Sequence, residues 1–268
     1  MTTKNIKTLN TTALRAVYSR HPIGEMAYTY ACNIEWEEGK RSNAFVKRFQ
    51  KKNELGLVNE ITGYILAKAC GLPVPKYAAL IPTSNNQFDI KDTSFIPWGF
   101  ATSALNGKTP QSLYALGDIT GCQKLLDYIA SWNNVAKAIA FDDWIANEDR
   151  NLGNIIVEDK NNISLIDHSN IPINLSWKPE ELDPLYLATN KLNQSLYNSK
   201  CPLPIKSQIS EANSQHKECY QKVQDELIFW WNLLLIKDHE RRKAIELFIK
   251  ERATLGNERV NLDLRLLA

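Results

Sequence analysis

The sequence predicts an α+β protein built as two lobes, a small antiparallel β-sheet carrying one helix and then a mostly helical second half. Three observations carry this expectation. Short, turn-bounded runs of alternating residues fill Ala13 to Phe49, the pattern of paired strands. One helical period follows over Asn53–Ala69, and from Gly121 onward helical periodicity dominates. The division falls near Leu105, giving lobes of residues 1–104 and 105–268.

Strand signals cover Leu14–Tyr18, Ala27–Glu35 and Asn43–Phe49, separated by the turn-rich pieces Ser19–Glu25 and Trp36–Ser42. Along the third, Phe45, Lys47 and Phe49 alternate onto one side. In the helix Asn53–Ala69, the residues Leu57, Ile61, Tyr64, Ile65 and Lys68 recur at helical spacing, and Gly71 and Pro73 supply the stop. Glu60 sits beside that stripe and can turn inward toward Lys47. Glu54 is better explained as an acid in the first turn of a helix. The competing expectation is two solvated charges.

Two further strands, Tyr77–Ile81 and Thr93–Ala104, flank the turn Pro82–Asn86. Gly107-Lys108-Thr109 is no phosphate-binding P-loop, because Thr102 stands where that motif needs its first glycine. It reads as a plain turn with Pro110. Helices are expected over Asp118–Trp132 and Asn134–Ile145, the second with a buried stripe of Val135, Ala138, Ile139, Asp142 and Ile145. The last third reads as helices over Gln208–Trp231 and Lys237–Ala253, anchored by Phe229, Trp230 and Trp231.

Between Phe141 and Asn170 lies the stretch that suggests chemistry. Asp149 and Asn154 stand five residues apart in a loop, and two apolar runs, Asn154–Val157 and Ile163–Ile166, flank the polar turn Glu158–Asn162. That is a β-hairpin, which brings Asp167 back beside the loop. Three oxygen-bearing side chains then converge, the donors that Mg²⁺ prefers. Phosphoryl transfer uses such a set: one Asp orients the attacking hydroxyl, while an Asn and a later Asp hold the metal beside a nucleotide triphosphate. The plainer alternative is that these Asp and Asn residues cap helices and turns.

Asn147-x-Asp149-Arg150-Asn151-x-x-Asn154 followed by Ile166-Asp167-His168 resembles the catalytic core of HipA-like kinases, bacterial relatives of the serine/threonine kinase fold. Asn59-Glu60 with Gly71-Leu72-Pro73-Val74-Pro75 is similar to the same family, and the likeness spans about residues 13 to 175. The loop also looks like the Asp-Arg-His-x-x-Asn loop of phosphatidylinositol kinases, with Asn151 in place of His. The resemblance implies a two-lobed protein-kinase-like fold that uses ATP and Mg²⁺ to phosphorylate serine or threonine on a protein substrate. An antitoxin or other regulatory partner is implied by the family alone. In that scheme Asp149 is the catalytic base, and Lys47 holds the α- and β-phosphates, fixed by Glu60. Asn154 and Asp167 hold the metal. Gly24 belongs to the loop over the phosphates, and Ser103 lies in the segment Phe100–Ala104 that meets the adenine. Ser19 is the expected autophosphorylation site. The sequence lacks His-Arg before Asp149, Phe-Gly after Asp167 and an Ala-Pro-Glu landmark, and its first loop has a single glycine. A small-molecule or lipid kinase of the same fold, or a nucleotide-binding pseudokinase acting as an interaction module, are the alternatives.

Composition sets the remaining bounds. A net charge of +2 from 32 basic and 30 acidic residues creates no field for nucleic acid or a membrane surface. The five cysteines are scattered without a C-x-x-C pair, which excludes a zinc site and a disulfide framework. With no signal-like amino terminus and no long apolar run, a cytoplasmic location is expected.

Overall fold

The computed structural model describes residues 4–20, 27–198, 200–256 and 258–259. In chain order its strands are β1 (Lys7–Thr8), β2 (Leu14–Arg20), β3 (Tyr28–Glu35), β4 (Arg41–Gln50), β5 (Ala78–Pro82), β6 (Phe95–Ser103), β7 (Ile155–Val157) and β8 (Ile163–Leu165). The helices are α1 (Leu55–Ala69), α2 (Pro110–Ala115), α3 (Ile119–Ala130), α4 (Val135–Trp144), α5 (Lys191–Tyr197), α6 (Leu203–Ser214), α7 (His216–Leu234) and α8 (His239–Thr254). The expected α+β order is therefore present.

Six strands form one sheet in the order β1-β5-β6-β4-β3-β2, and β7 pairs with β8 separately. The sheet is mixed, because β1 runs parallel to β5, which corrects the purely antiparallel expectation. Two residues are too short to show any alternation in sequence. The other neighbours are antiparallel, with β3 and β4 paired from Tyr28↔Arg48 to Glu35↔Arg41.

Alternation divides the sheet between two cores. Phe49, Ala78, Leu80 and Phe100 face α1 and the helical half, whereas Val46, Ala79, Ile81 and Ala101, one residue away, enter a second core with Cys32, Trp36 and Phe88. Strands β5 and β6 are apolar on both sides because both of their faces are covered. Lys47 lies on the Phe49 side, as the alternation predicts.

Helix α1 departs from the amphipathic expectation. Every residue from Leu55 to Ala67 is buried, the polar Asn59, Glu60 and Thr62 among them, since the sheet covers one side and α7 another. Lys68, assigned to the stripe by its spacing, is exposed.

In the second half the plain turn at Gly107 is present, yet Thr109 also caps a helix. Its hydroxyl accepts the Ser112 N–H at 3.0 Å, and Pro110 opens α2, where a missing N–H costs nothing. Lys108 is exposed and its backbone pairs with Val157. Gly107, at φ 115°, lies where a Cβ would strike the Val157 carbonyl. The single helix expected over Gln208–Trp231 breaks at Gln215, because α6 packs on α4 and α7 on α1 and α8. Trp230 and Trp231 are core residues as anticipated, but Phe229 is 42% exposed.

His216 opens α7 fully buried, stacked on Trp144 with ring centroids 4.6 Å apart. Burial, reinforced by Arg259, lowers its pKa from 6.5 to about 3. The folded chain thus keeps it neutral while the unfolded chain protonates below 6.5, so its contribution to stability is complete above that pH and lost as pH falls toward 3. Replacing it by Phe, which retains the stack, is expected to make stability less pH-dependent between pH 4 and 6 by about one proton. Urea unfolding across that range reads the slope, and parallel curves for the two proteins would refute it.

Candidate active site

Three charged side chains from three elements meet where the sheet faces the helices. Lys47 of β4 donates from Nζ to Glu60 Oε1 of α1 and lies 2.8 Å from Asp167 Oδ1, just beyond β8. The second oxygen of Glu60 accepts the His168 N–H at 3.1 Å, so the glutamate joins the lysine to the backbone that carries Asp167. Helix α1 reaches this position through Gly63, where any Cβ would collide with the side chain of His168.

The trio's electrostatics are those of a lysine held between two acids. Burial alone would lower the Lys47 pKa, but the charges of Asp167 and Glu60 outweigh it and raise it. Burial pushes Glu60 up to about 7 despite Lys47. Asp167 is 36% exposed at its side chain, and although burial acts to raise it, Lys47 and Ser169 hold it well below the usual carboxylate range. The Ser169 hydroxyl donates to Asp167 Oδ1 at 2.8 Å. Asp167 also sits at φ 59°, a left-handed conformation that a non-glycine residue keeps only where its surroundings impose it.

The loop after α4 is built around Arg150. Its guanidinium donates to both carboxylate oxygens of Asp142 at 3.1 to 3.2 Å, and neither side chain is exposed. It also donates to the carbonyls of Ile166 at 2.6 Å and Asn154 at 3.3 Å. One cation therefore ties α4, Asn154 and the strand before Asp167 together. Asn147 completes the frame, donating to Asp142 Oδ1 at 2.8 Å and accepting the Asp149 N–H at 3.0 Å. The amide of Asn154 donates to the Asp149 carbonyl at 2.7 Å. Asp149, Asn154 and Asp167 thus belong to one hydrogen-bonded frame, with Lys47 on Asp167.

The other expected residues lie apart from this frame or outside the description. Ser103 ends β6 buried; its N–H donates to the Tyr77 carbonyl at 3.0 Å and its hydroxyl accepts the Tyr77 N–H at 3.1 Å. Ser19 is not in a loop but in β2, exposed and opposite Ala31. It borders a cavity lined in part by Tyr30, Phe88 and Asp89, which the residues of the charged trio do not line. Gly24 lies outside the described residues.

Two residues of the site have no role assigned from the sequence, Arg150 standing there only as part of the motif. Arg150 had a signal: Asp142 falls on the apolar stripe of α4, and a buried acid needs a partner. Lys191 had none. It begins α5, and its Nζ stands 3.1 Å from Asp149 Oδ1.

Divalent-metal chemistry suits the donors present. Asp167 and Asn154 offer hard oxygens at one end of the hairpin, and among the described residues no cluster of three or more His, Cys, Asp or Glu side chains forms an all-protein cage. Mg²⁺ commonly binds through one or two protein oxygens, with phosphate and water completing its shell. Among the described residues no helix is long and apolar enough to cross a membrane.

Against known proteins, residues 24–233 match the model of a family described as HipA-like kinase. No curated protein sequence matches the chain.

Proposed function

The chain belongs to the HipA-like kinase family, and from that premise we propose that it transfers the γ-phosphoryl group of ATP, with Mg²⁺, to a serine or threonine hydroxyl of a protein. The observation that supports this reading best is Lys47 held between Glu60 and Asp167, because phosphoryl transfer needs a phosphate-holding cation beside a metal-holding acid.

In this reading residues 1–104 and 105–268 act as two lobes, with adenine received where β6 ends near Ser103 and the triphosphate under the Gly24 loop. Lys47 holds the α- and β-phosphates and Glu60 keeps it in place. Asp167 and Asn154 would hold Mg²⁺, which supplies charge neutralisation at the phosphate oxygens. Asp149 accepts the acceptor's proton as its oxygen bonds to the γ-phosphorus. The bond from that phosphorus to the β–γ bridging oxygen breaks, and ADP leaves. Ser19, exposed on β2, is offered as the site of self-phosphorylation. The family alone suggests an antitoxin or regulatory partner, and a cytoplasmic setting suits these partners.

The test is γ-labelled ATP with purified protein and a cell lysate. Label on serine or threonine of a protein is expected, abolished when a chelator removes Mg²⁺. Asp167→Asn should lower transfer by about 10²-fold even in excess Mg²⁺. Label found only in a small molecule or lipid would move the acceptor to those classes, and no phosphate release of any kind would leave a nucleotide-binding interaction module.

A further inference from the structure

The lysine beside the proposed base is held in place more firmly than a surface charge requires. Exposed ion pairs contribute little and need no scaffold, yet the backbone on the amino side of Lys191 is anchored twice. Asn190 donates from Nδ2 to the Ile139 carbonyl of α4 at 2.8 Å in a buried contact and caps α5 by accepting the Asn193 N–H at 2.9 Å. Glu148, the neighbour of Asp149, accepts the Thr189 N–H at 2.8 Å and the Tyr186 hydroxyl at 2.9 Å through one oxygen. One anchor comes from the middle of α4 and the other from the residue directly before Asp149. They deliver the Lys191 ammonium to the Asp149 carboxylate while its side chain remains 45% exposed, open to an incoming substrate.

Neither of the other two cations of the site can serve the same position. Arg150 adjoins Asp149 in sequence, but its guanidinium is fully buried and engaged by Asp142, Asn154 and Ile166. Lys47 is engaged by Glu60 and Asp167. In flight, a phosphoryl group carries its charge on three equatorial oxygens between donor and acceptor, and the acceptor oxygen is the one that Asp149 addresses.

Resting on the kinase reading above, we propose that Lys191 is a catalytic residue: its ammonium leaves Asp149 Oδ1 as substrate binds and donates hydrogen bonds to the transferred phosphoryl group, staying protonated throughout. The residue is supplied from α5, some forty positions beyond the loop it completes.

The experiment compares wild type, Lys191→Gln and Lys191→Arg as full chains, with MgATP as the probe. Four quantities are read: ATP hydrolysis to water, label transfer to lysate protein, KM for ATP and Tm. Lys191→Gln is expected to lower kcat for both hydrolysis and transfer by about 10²-fold, with KM and Tm close to wild type. Lys191→Arg should restore most of kcat, since it keeps the charge. A kcat equal to wild type in Lys191→Gln overturns the role. So does a loss confined to protein transfer with hydrolysis intact, which would place Lys191 on the acceptor protein. A drop in Tm that accounts for the lost activity, unrelieved in Lys191→Arg, makes it a strut. A wild type silent in both reactions instead overturns the kinase reading itself, and this role with it.

Discussion

Asp149→Ala is expected to lower phosphoryl transfer by about 10³-fold, within the range a positioned general base supplies, while leaving MgATP affinity near that of wild type. The separation follows from the structure. The groups proposed to hold ATP and metal are the side chains of Lys47, Asp167 and Asn154, and none of them depends on the Asp149 carboxylate: Lys47 is fixed by Glu60 and Asp167, and Asn154 donates to the Asp149 backbone carbonyl. The Asn147 contact to Asp149 is likewise a backbone one, so cutting the side chain removes the 3.3 Å hydrogen bond from Asn151 Nδ2 and the Lys191 pair but leaves these backbone hydrogen bonds in place. Single-turnover transfer with saturating MgATP reads the chemical step, and equilibrium titration with nucleotide reads binding. Equal single-turnover rates for variant and wild type would remove Asp149 from the chemistry. A parallel loss of nucleotide affinity would make it a binding residue.

What was legible in the sequence was whatever depends on local periods. The alternation Phe45, Lys47, Phe49 places the lysine on the side of the sheet that faces α1, and the helical spacing around Glu60 brings the acid to it. The polar turn between two apolar runs gives the β7–β8 hairpin that returns Asp167 to the loop. What stayed hidden depends on partners remote in the chain. Helix α1 is buried on the side away from the sheet because α7 covers it, and α7 lies nearly 150 residues further along the chain. The two residues of β1 have no period of their own and become a strand by joining β5. Lys191 becomes part of the site through Glu148 and Asn190, and nothing in the seven residues of α5 signals that contact.

Arg150→Leu is expected to destabilise the fold by about 3–5 kcal/mol, the effect of leaving a buried charge unpaired, and so to lower Tm by about 10 °C for a chain of this size. Asp142 would then sit fully buried without its guanidinium, and the carbonyls of Ile166 and Asn154 would lose their donors. The deficit has a pH signature. Burial raises the Asp142 pKa from its ordinary 3.8 even against Arg150, and removing the guanidinium raises it further. The folded variant therefore holds a proton that the unfolded chain releases above 3.8, and its stability falls as the pH rises from that value. The deficit relative to wild type should be larger at pH 7 than at pH 5. Pairing the change with Asp142→Leu removes the orphaned charge, and since two apolar groups often replace a buried ion pair without loss, much of the lost Tm should return. Activity should not return with it. No leucine can donate to the two carbonyls through which Arg150 ties Asn154 to the strand before Asp167, so the spacing between the loop and the proposed metal ligands would stay loose in the double variant. Thermal unfolding together with MgATP hydrolysis separates the two roles. A double variant that recovers both Tm and turnover would show Arg150 to be a partner for Asp142 and nothing more.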